Sequence, residues 1–440
     1  MTRFTSLAFI SLLALLLLAL AGCGGSSTTL PDSGLQADLT LDTAALPATH
    51  WVTPTGNDSG PGTKAQPWKT LAKAASVVVP GDVVQVLPGS YAGFYLERSG
   101  TAGKRIIFRG ANSTGVKITA TNGRTPDGIN IENCNWVTVQ NFVVNNMPRT
   151  GIRAALANRV SILNCTCQNN AKWGILTGFC NHLLIEGNTC SGSVAEHGIY
   201  VGNSGDYPVV RRNTCYGNHG CGIHCNADAS MGGDGIISHA VFDSNIVYDN
   251  GVGGGSGINC DGVTDSKITN NLLYNNHASG ISLYRIDGAV GSARNQVVNN
   301  TVVQASDGRW ALNIADGSTN AVVRNNILLH TLSYRGSLVI DAASRSGFSS
   351  DYNLCSGPFS ADGDSTLKTL AQWRALGYDA HSAVATAAAI FANPGANNYR
   401  PLSPGPAIDK GEAQYAPALD LLQRPRPAGA ADDVGCYEGP

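Results

Sequence analysis

The chain has 440 residues, a formal net charge of −2 and only 14% charged residues, with 52 glycines and 12 cysteines. Nucleic acids and anionic membrane surfaces attract proteins with a basic charge excess, so the near-neutral balance argues against a nucleic-acid partner. Low charge combined with many glycines favours stacked strands joined by tight turns.

The first predicted element is an export signal. Arg3 precedes an apolar run from Leu7 to Ala21, which is shorter than the roughly 20 residues that a membrane-spanning helix needs. The run ends in LAGC at residues 20–23, which resembles the lipobox of bacterial lipoproteins and implies that Cys23 carries a lipid. We therefore expect a signal peptide over 1–22, a flexible tether over 23–48, and anchoring in the cell envelope, at the outer membrane or the cell surface.

A repeated pattern is visible from about residue 137. Short apolar strands such as Val160-Ser161-Ile162 recur, and each is followed by a turn residue, with successive turn residues 23 to 32 positions apart. These turn residues are Phe142, Cys165, Asn188, Asn213, Asn245, Asn271, Asn300 and Asn326. A second strand in each repeat opens with a glycine and an apolar residue, as at Gly198-Ile199. This period predicts a solenoid whose coils stack about 4.8 Å apart.

Stacking also explains the column of asparagines. Asparagine tolerates a left-handed turn conformation, and its amide can hydrogen-bond to the equivalent asparagine of the next coil. With this pattern, the sequence resembles right-handed parallel β-helix proteins of the pectate-lyase-like superfamily. The resemblance implies an all-β solenoid over residues 49–355, a short N-terminal capping helix that Leu71 to Val79 fits, and an irregular C-terminal capping and packing segment over 356–440.

Two outward columns follow from the strands that open with glycine, because alternate side chains of a strand point to opposite faces. The first column is Arg153, Leu176, Tyr200, His224, Asn259, Ser282 and Asn313. The second column is Ala155, Gly178, Gly202, Asn226, Asp261, Tyr284 and Ala315. Polar residues cluster in the middle of both columns, and the resemblance implies a substrate groove along this strand.

The hypothesis for this groove is β-elimination on an acidic polysaccharide. The reaction needs a base, a cation that neutralises the sugar carboxylate, and an acid for the leaving oxygen. His224 is the predicted base, Arg285 the carboxylate clamp, and Tyr284 or Tyr200 the acid. The predicted substrate-binding residues are Asn259, Asn226, Trp173 and Trp310.

The sequence is compatible with two kinds of metal site. A Ca²⁺ site would use the carboxylate and amide oxygens of Asp261, Asp234 and Asn226. A copper or zinc site would use imidazole and thiolate groups. The candidates for that second site are His197, His219, His224, Cys221 and Cys225.

The leading functional hypothesis is an envelope lipoprotein that binds and modifies an acidic polysaccharide and reaches the membrane only through lipidated Cys23. Two alternatives remain, since the same fold serves many functions. One is a non-catalytic structural or binding component of a cell-envelope assembly. The other is a metal-binding envelope protein of the copper or zinc type.

Overall fold

The computed structural model describes residues 46–439, all of which belong to one compact unit. The predicted signal peptide, Cys23 and nearly all of the predicted tether lie outside the described residues. Most of the unit is a parallel solenoid of about 12 turns, in which each coil contributes one short strand to each of three sheets. The prediction of an all-β solenoid is confirmed.

The strands of the three sheets are as follows, each in chain order. The first sheet contains His50–Val52, Val83–Val86, Ile106–Gly110, Val137–Gln140, Val160–Leu163, Leu184–Glu186, Val209–Arg211, Val241–Asp243, Lys267–Thr269, Gln296–Val298, Val322–Arg324 and Ser349–Asp351. The second sheet contains Phe94–Leu96, Ile129–Glu132, Thr150–Ala155, Trp173–Gly178, Ile199–Asn203, Ile223–Ala227, Ser256–Asp261, Ser279–Tyr284, Leu312–Ile314, Leu338–Ile340 and Phe359–Ser360. The third sheet contains Gly89–Ala92, Val116–Ala120, Val143–Val144, Thr166–Gln168, Thr189–Ser191, Thr214–Tyr216, Ile246–Tyr248, Leu272–Tyr274, Thr301–Val303, Ile327–Leu329, Leu354–Cys355 and Ala383–Val384.

The remaining elements are short. A three-stranded sheet joins Gly205–Asp206, Ile237–Ser238 and Val263–Thr264, and an antiparallel pair joins Phe391–Asn393 to Asn398–Pro401. The α-helices are Leu71–Val77, Leu370–Arg374 and Ala387–Ile390, and the 3₁₀-helices are Ala229–Met231, Ala342–Ser344 and Pro394–Ala396. Within residues 46–439, the helices are too short to cross a bilayer.

Identical positions of successive coils stack in register inside the solenoid. In the second sheet, Ile152 pairs with Ile175, Ile175 with Ile199, and Ile199 with Ile223. All four side chains are fully buried. Burying one such side chain is worth about 1.5 to 3 kcal/mol, so the inward rows supply most of the driving force for stacking.

The asparagine column forms a ladder of buried amides. Nδ2 of Asn213 donates to Oδ1 of Asn245 at 3.0 Å, and Nδ2 of Asn245 donates to Oδ1 of Asn271 at 2.9 Å. The predicted stacking is therefore confirmed, but the assignment of the left-handed conformation to these asparagines is wrong. The residue before each of them has the positive φ, as in Arg212 (55°) and Ser244 (56°), because the sharp bend comes one residue earlier.

A second asparagine ladder lies on the other side of the third sheet, and sequence reasoning missed it. Nδ2 of Asn218 donates to Oδ1 of Asn250 at 2.8 Å, and Nδ2 of Asn250 donates to Oδ1 of Asn276 at 3.1 Å. All three side chains are buried. The two ladders bracket the third sheet and fix both of its turns.

A helix covers the N-terminal end of the solenoid, and the C-terminal segment covers part of its side. The helix Leu71–Val77 is shorter than the predicted Leu71 to Val79, since Val78 is already extended and Pro80 cannot continue a helix. The C-terminal segment forms a second apolar core against the outside of the third sheet. This core includes Ile327, Leu329, Phe391, Tyr399 and Cys436. The eleven cysteines within the described range are all buried free thiols.

Candidate functional site

The polar cluster lies on the outer face of the second sheet, where the two predicted columns are in register. Tyr200 pairs with His224, and His224 pairs with Asn259. In the second column, Asn226 pairs with Asp261, and Asp261 pairs with Tyr284. Side chains that are up to 84 residues apart in the chain therefore meet on four consecutive coils.

Two histidines on neighbouring coils form a directed hydrogen-bond chain. The backbone N–H of Cys221 donates to Nδ1 of His197 at 2.9 Å, so the proton of neutral His197 is on Nε2. That Nε2 lies 2.9 Å from Nδ1 of His224 and must donate to it. The proton of His224 is therefore on its own Nε2, which is buried and without a partner among residues 46–439.

Burial keeps both imidazoles neutral. It lowers the pKa of His197 to about 4. Burial, together with the positive charge that His197 would carry, holds the pKa of His224 well below its usual value. At neutral pH, His224 is thus uncharged, and its buried Nε2 keeps a proton.

A second set of contacts surrounds Tyr200. Nδ2 of Asn226 donates to the Tyr200 hydroxyl at 3.1 Å and to Oδ2 of Asp287 at 3.2 Å. Burial raises the pKa of Tyr200 to about 12, so the phenol is neutral. Because its oxygen accepts from Asn226, the phenolic proton is not used in that contact. The neighbouring Gly202 makes room for the ring, since a Cβ there would lie 2.6 Å from Cε1 of Tyr200.

Tyr284 repeats this arrangement further along the face. Nδ2 of Asn259 donates to the Tyr284 hydroxyl at 2.9 Å. Ser256 holds Asn259 in place, because its hydroxyl lies 3.3 Å from Oδ1 of that side chain. Burial raises the pKa of Tyr284, with the charge of Asp261 adding to the shift. A second neutral phenol therefore lies on this outer face.

Arg309 is a cation at this face that sequence reasoning missed. Its Nη2 donates to the backbone oxygen of Gly255 at 2.9 Å, so the side chain reaches back two coils to the cluster. Its Nε is buried and lacks a partner in the part of the chain that the structure describes. Predicted Arg285, in contrast, is exposed on the loop after Tyr284. Arg309 immediately precedes Trp310, a predicted substrate-binding residue, and this proximity is the only feature of the sequence that could have pointed to it.

The two predicted tryptophans lie at opposite ends of the face. The ring centroid of Trp173 is 6.0 Å from that of Tyr200, and its Nε1 is buried with no acceptor within residues 46–439. Nε1 of Trp310 donates to Oδ2 of Asp364 at 2.6 Å. The guanidinium carbon of Arg309 lies 5.2 Å from the Trp310 ring centroid.

The residues predicted to bind Ca²⁺ have other contacts. Asp261 is 1% exposed, and its carboxylate accepts the backbone N–H groups of Ile286, Asp287 and Gly288 at 2.9 to 3.1 Å. These bonds use the oxygen lone pairs that a cation would need. Asp234 is on an exposed loop, where it accepts from the backbone of Ile236 at 3.0 Å. Asp261 is therefore a loop anchor.

The residues predicted to bind copper or zinc come together only in part. One potential ligand atom from each of His197, Cys221 and His224 lies within 4.8 Å of the others. Cys225 is buried in the core, and His219 is exposed. Coordination through Nε2 of His197 would require its proton to move to Nδ1, where the Cys221 N–H already points.

Comparison with protein families gives two matches. The family described as Pel9A-like, right handed beta helix region, matches residues 50–185, and the family described as right handed beta helix region matches residues 127–302. Among curated proteins, uncharacterized protein YwoF of Bacillus subtilis (strain 168) is 38% identical over 69 residues. That match covers 16% of this chain and 15% of the relative.

Several solved structures share the architecture at low identity. Pectate lyase Pel9A has a TM-score of 0.63 at 14% identity, covering 90% of this chain and 98% of its own. A rhamnogalacturonan lyase has a TM-score of 0.50 at 17% identity, covering 70% and 87%. The catalytic unit of a GH87 α-1,3-glucanase from Streptomyces thermodiastaticus strain HF3-3 has a TM-score of 0.51 at 15% identity, covering 78% and 69%. At such identities the likeness concerns the fold.

Proposed function

Because the chain is a right-handed parallel β-helix protein with the pectate-lyase-like fold, we propose that it binds an acidic polysaccharide along the outer face of the second sheet and cleaves it by β-elimination. The low identities transfer no activity, so the proposal rests on the chemistry of the face. The named lyases and the glucanase support a polysaccharide as the ligand class.

The observation that carries the proposal is a surplus of hydrogen-bond donors. Nε1 of Trp173, Nε2 of His224 and Nε of Arg309 are buried donors without acceptors among the described residues. The hydroxyls of Tyr200 and Tyr284 each accept from an asparagine and keep their own protons. A buried donor without a partner is costly, so the face fits a ligand rich in acceptors. A chain of sugar carboxylates provides both acceptors and negative charge.

The hydrogen-bond donors and acceptors of the face suggest a role in β-elimination for each residue. Arg309 neutralises the sugar carboxylate, as a guanidinium pairs well with that group. Tyr200 or Tyr284 protonates the leaving oxygen. The predicted base role of His224 does not fit the hydrogen-bond chain, because Nδ1 is occupied and Nε2 already carries a proton. We assign His224 as a donor to the ligand instead.

The proton acceptor in this proposal is Asp287. It is exposed on the ligand side, and the amide of Asn226 joins it to Tyr200. The backbone N–H of Asp287 is in turn held by Asp261 at 2.9 Å. The carboxylate that takes the proton and the phenol that gives one therefore lie on either side of the same amide.

The test is incubation of the purified chain with alginate, pectate and glycosaminoglycans while absorbance of the unsaturated product is followed. Asp287→Asn should abolish product with binding retained. Arg309→Gln should weaken binding by about 10-fold or more, the loss of roughly one charge-assisted hydrogen bond, whereas Arg285→Gln, at an exposed arginine, should have little effect. Binding without product on every polymer would favour the non-catalytic envelope component, and silence in both assays would overturn the proposal.

We also propose that Cys23 is lipidated and anchors the chain in the cell envelope. The LAGC sequence at residues 20–23 supports this. Mass spectrometry of the membrane fraction should find diacylglycerol on Cys23, and Cys23→Ser should release the protein. A Cys23→Ser variant that stays in the membrane fraction would contradict the proposal.

A further inference from the structure

We propose that His197 is a positioning residue that sets the tautomer of His224, so that the Nε2–H of His224 points at the bound ligand. The inference rests on the proposed function for the ligand, but the tautomer itself can be measured without any substrate. In this role His197 acts through His224 and needs no direct contact with the sugar.

The backbone N–H of Cys221 is a hydrogen-bond donor that cannot act as an acceptor. A backbone amide has a proton and no usable lone pair, so the Cys221 N–H can only donate to Nδ1 of His197. Nε2 of His197 must then donate across 2.9 Å to Nδ1 of His224. This leaves the His224 proton on Nε2. One fixed backbone group thus determines the proton positions of two side chains.

Packing keeps the two rings in this arrangement. The rings of His197 and His224 are perpendicular, with centroids 4.5 Å apart. Tyr200 stacks on His197 with an interplanar angle of 19° and meets His224 edge-on at 5.1 Å. Gly220 leaves space for the first ring, since a Cβ there would lie 2.6 Å from Nδ1 of His197.

One charged group competes for the His197 proton. Oε2 of Glu196 lies 3.5 Å from Nε2 of His197, at the edge of hydrogen-bond distance, whereas Nδ1 of His224 lies at 2.9 Å. The glutamate side chain is 36% exposed, so water competes with His197 for hydrogen bonds to its carboxylate. The shorter contact with His224 therefore holds the proton.

The experiment uses ¹⁵N spectra of the full chain near neutral pH. In the wild type, His224 should show a protonated Nε2 and an unprotonated Nδ1. His197→Ala should mix or reverse that pattern. His197→Gln should preserve it, because an amide offers both an acceptor for Cys221 and a donor for His224. The exposed His219→Gln is the matched control and should leave the His224 signals unchanged.

Different outcomes test the tautomer of His224 and the proposed function. A His224 proton on Nδ1, or an unchanged tautomer in His197→Ala, would overturn the inference. Stoichiometric zinc or copper in elemental analysis would overturn it too, since metal coordination would then explain the cluster. If the tautomer behaves as expected and the polysaccharide also binds, His197→Ala should lose about 10-fold in affinity or rate and His197→Gln should recover most of it. An expected tautomer without any polysaccharide binding would sink the proposed function and the ligand-directed role, while leaving the proton assignment intact.

Discussion

The backbone N–H of Asp287 donates to Oδ2 of Asp261 at 2.9 Å. Asp261 also accepts from the backbone of Ile286 and Gly288, so one buried carboxylate organises the whole turn after the strand Ser279–Tyr284. Burial raises the pKa of Asp261, and the charge of Asp287 adds to the rise, while the backbone N–H groups oppose it. The position of the proposed proton acceptor therefore depends on a second carboxylate, which is buried.

Asp261→Asn should loosen this turn. An amide has one acceptor oxygen instead of two and faces the backbone with an NH₂ group, so buried N–H groups lose their partners. We expect a loss of about 2 to 3 kcal/mol in the free energy of unfolding, measured by urea denaturation. Asp234→Asn, on the exposed neighbouring loop, is the control and should cost less than about 0.5 kcal/mol. Equal losses in the two variants would contradict the role of Asp261.

The asparagine ladder should contribute strongly to stability. Asn245 accepts from the amide of Asn213 and donates to Asn271 and to the backbone of Val210, all at 2.9 to 3.0 Å. Asn245→Ala leaves buried partners unsatisfied on two coils, and we expect a loss of about 2 to 4 kcal/mol. The exposed Asn398→Ala is the control. A thermal or urea midpoint that matches the control would show that the ladder contributes little.

The sequence predicts the fold well because the repeat encodes it. Each inward isoleucine must stack on the one in the next coil, and a shift of one residue would turn the whole row outward. The same alternation correctly predicted that Tyr200, His224 and Asn259 lie side by side. Register follows from periodicity, so these neighbours could be found without a structure.

The chemistry of the face could not be predicted in the same way. Arg309 lies outside the strand columns, and only its conformation brings it back to Gly255. The tautomer of His224 depends on a backbone N–H two steps away, which no repeat encodes. Asp261 has the residue type of a metal ligand, but the turn that it holds uses its lone pairs. Periodicity gives positions on a sheet, whereas these roles depend on turn geometry.

Two adjacent glycines offer a matched test of packing at the site. Gly254 and Gly255 both have positive φ, at 106° and 99°, so alanine is strained at either position. A Cβ at Gly254 meets nothing within 4 Å, whereas a Cβ at Gly255 would lie 2.5 Å from Sγ of Cys221. Gly255→Ala should therefore destabilise the fold by about 1 to 3 kcal/mol more than Gly254→Ala in urea denaturation. A smaller difference would mean that Cys221 moves aside freely.

The buried histidines should make the protein sensitive to mild acid. The pKa of folded His197 is about 4, below its ordinary value of 6.5, so between these values the unfolded chain binds a proton that the folded chain does not. The stability that depends on neutral His197 is therefore fully present above pH 6.5 and is lost as the pH falls towards 4. One pKa unit corresponds to about 1.4 kcal/mol, so the loss from His197 approaches about 3 kcal/mol, and His224 acts in the same direction. The free energy of unfolding should therefore drop more between pH 7.5 and pH 5 in the wild type than in His197→Gln. His219→Gln should follow the wild type, and an identical drop in His197→Gln would show that folding does not lower the pKa of His197.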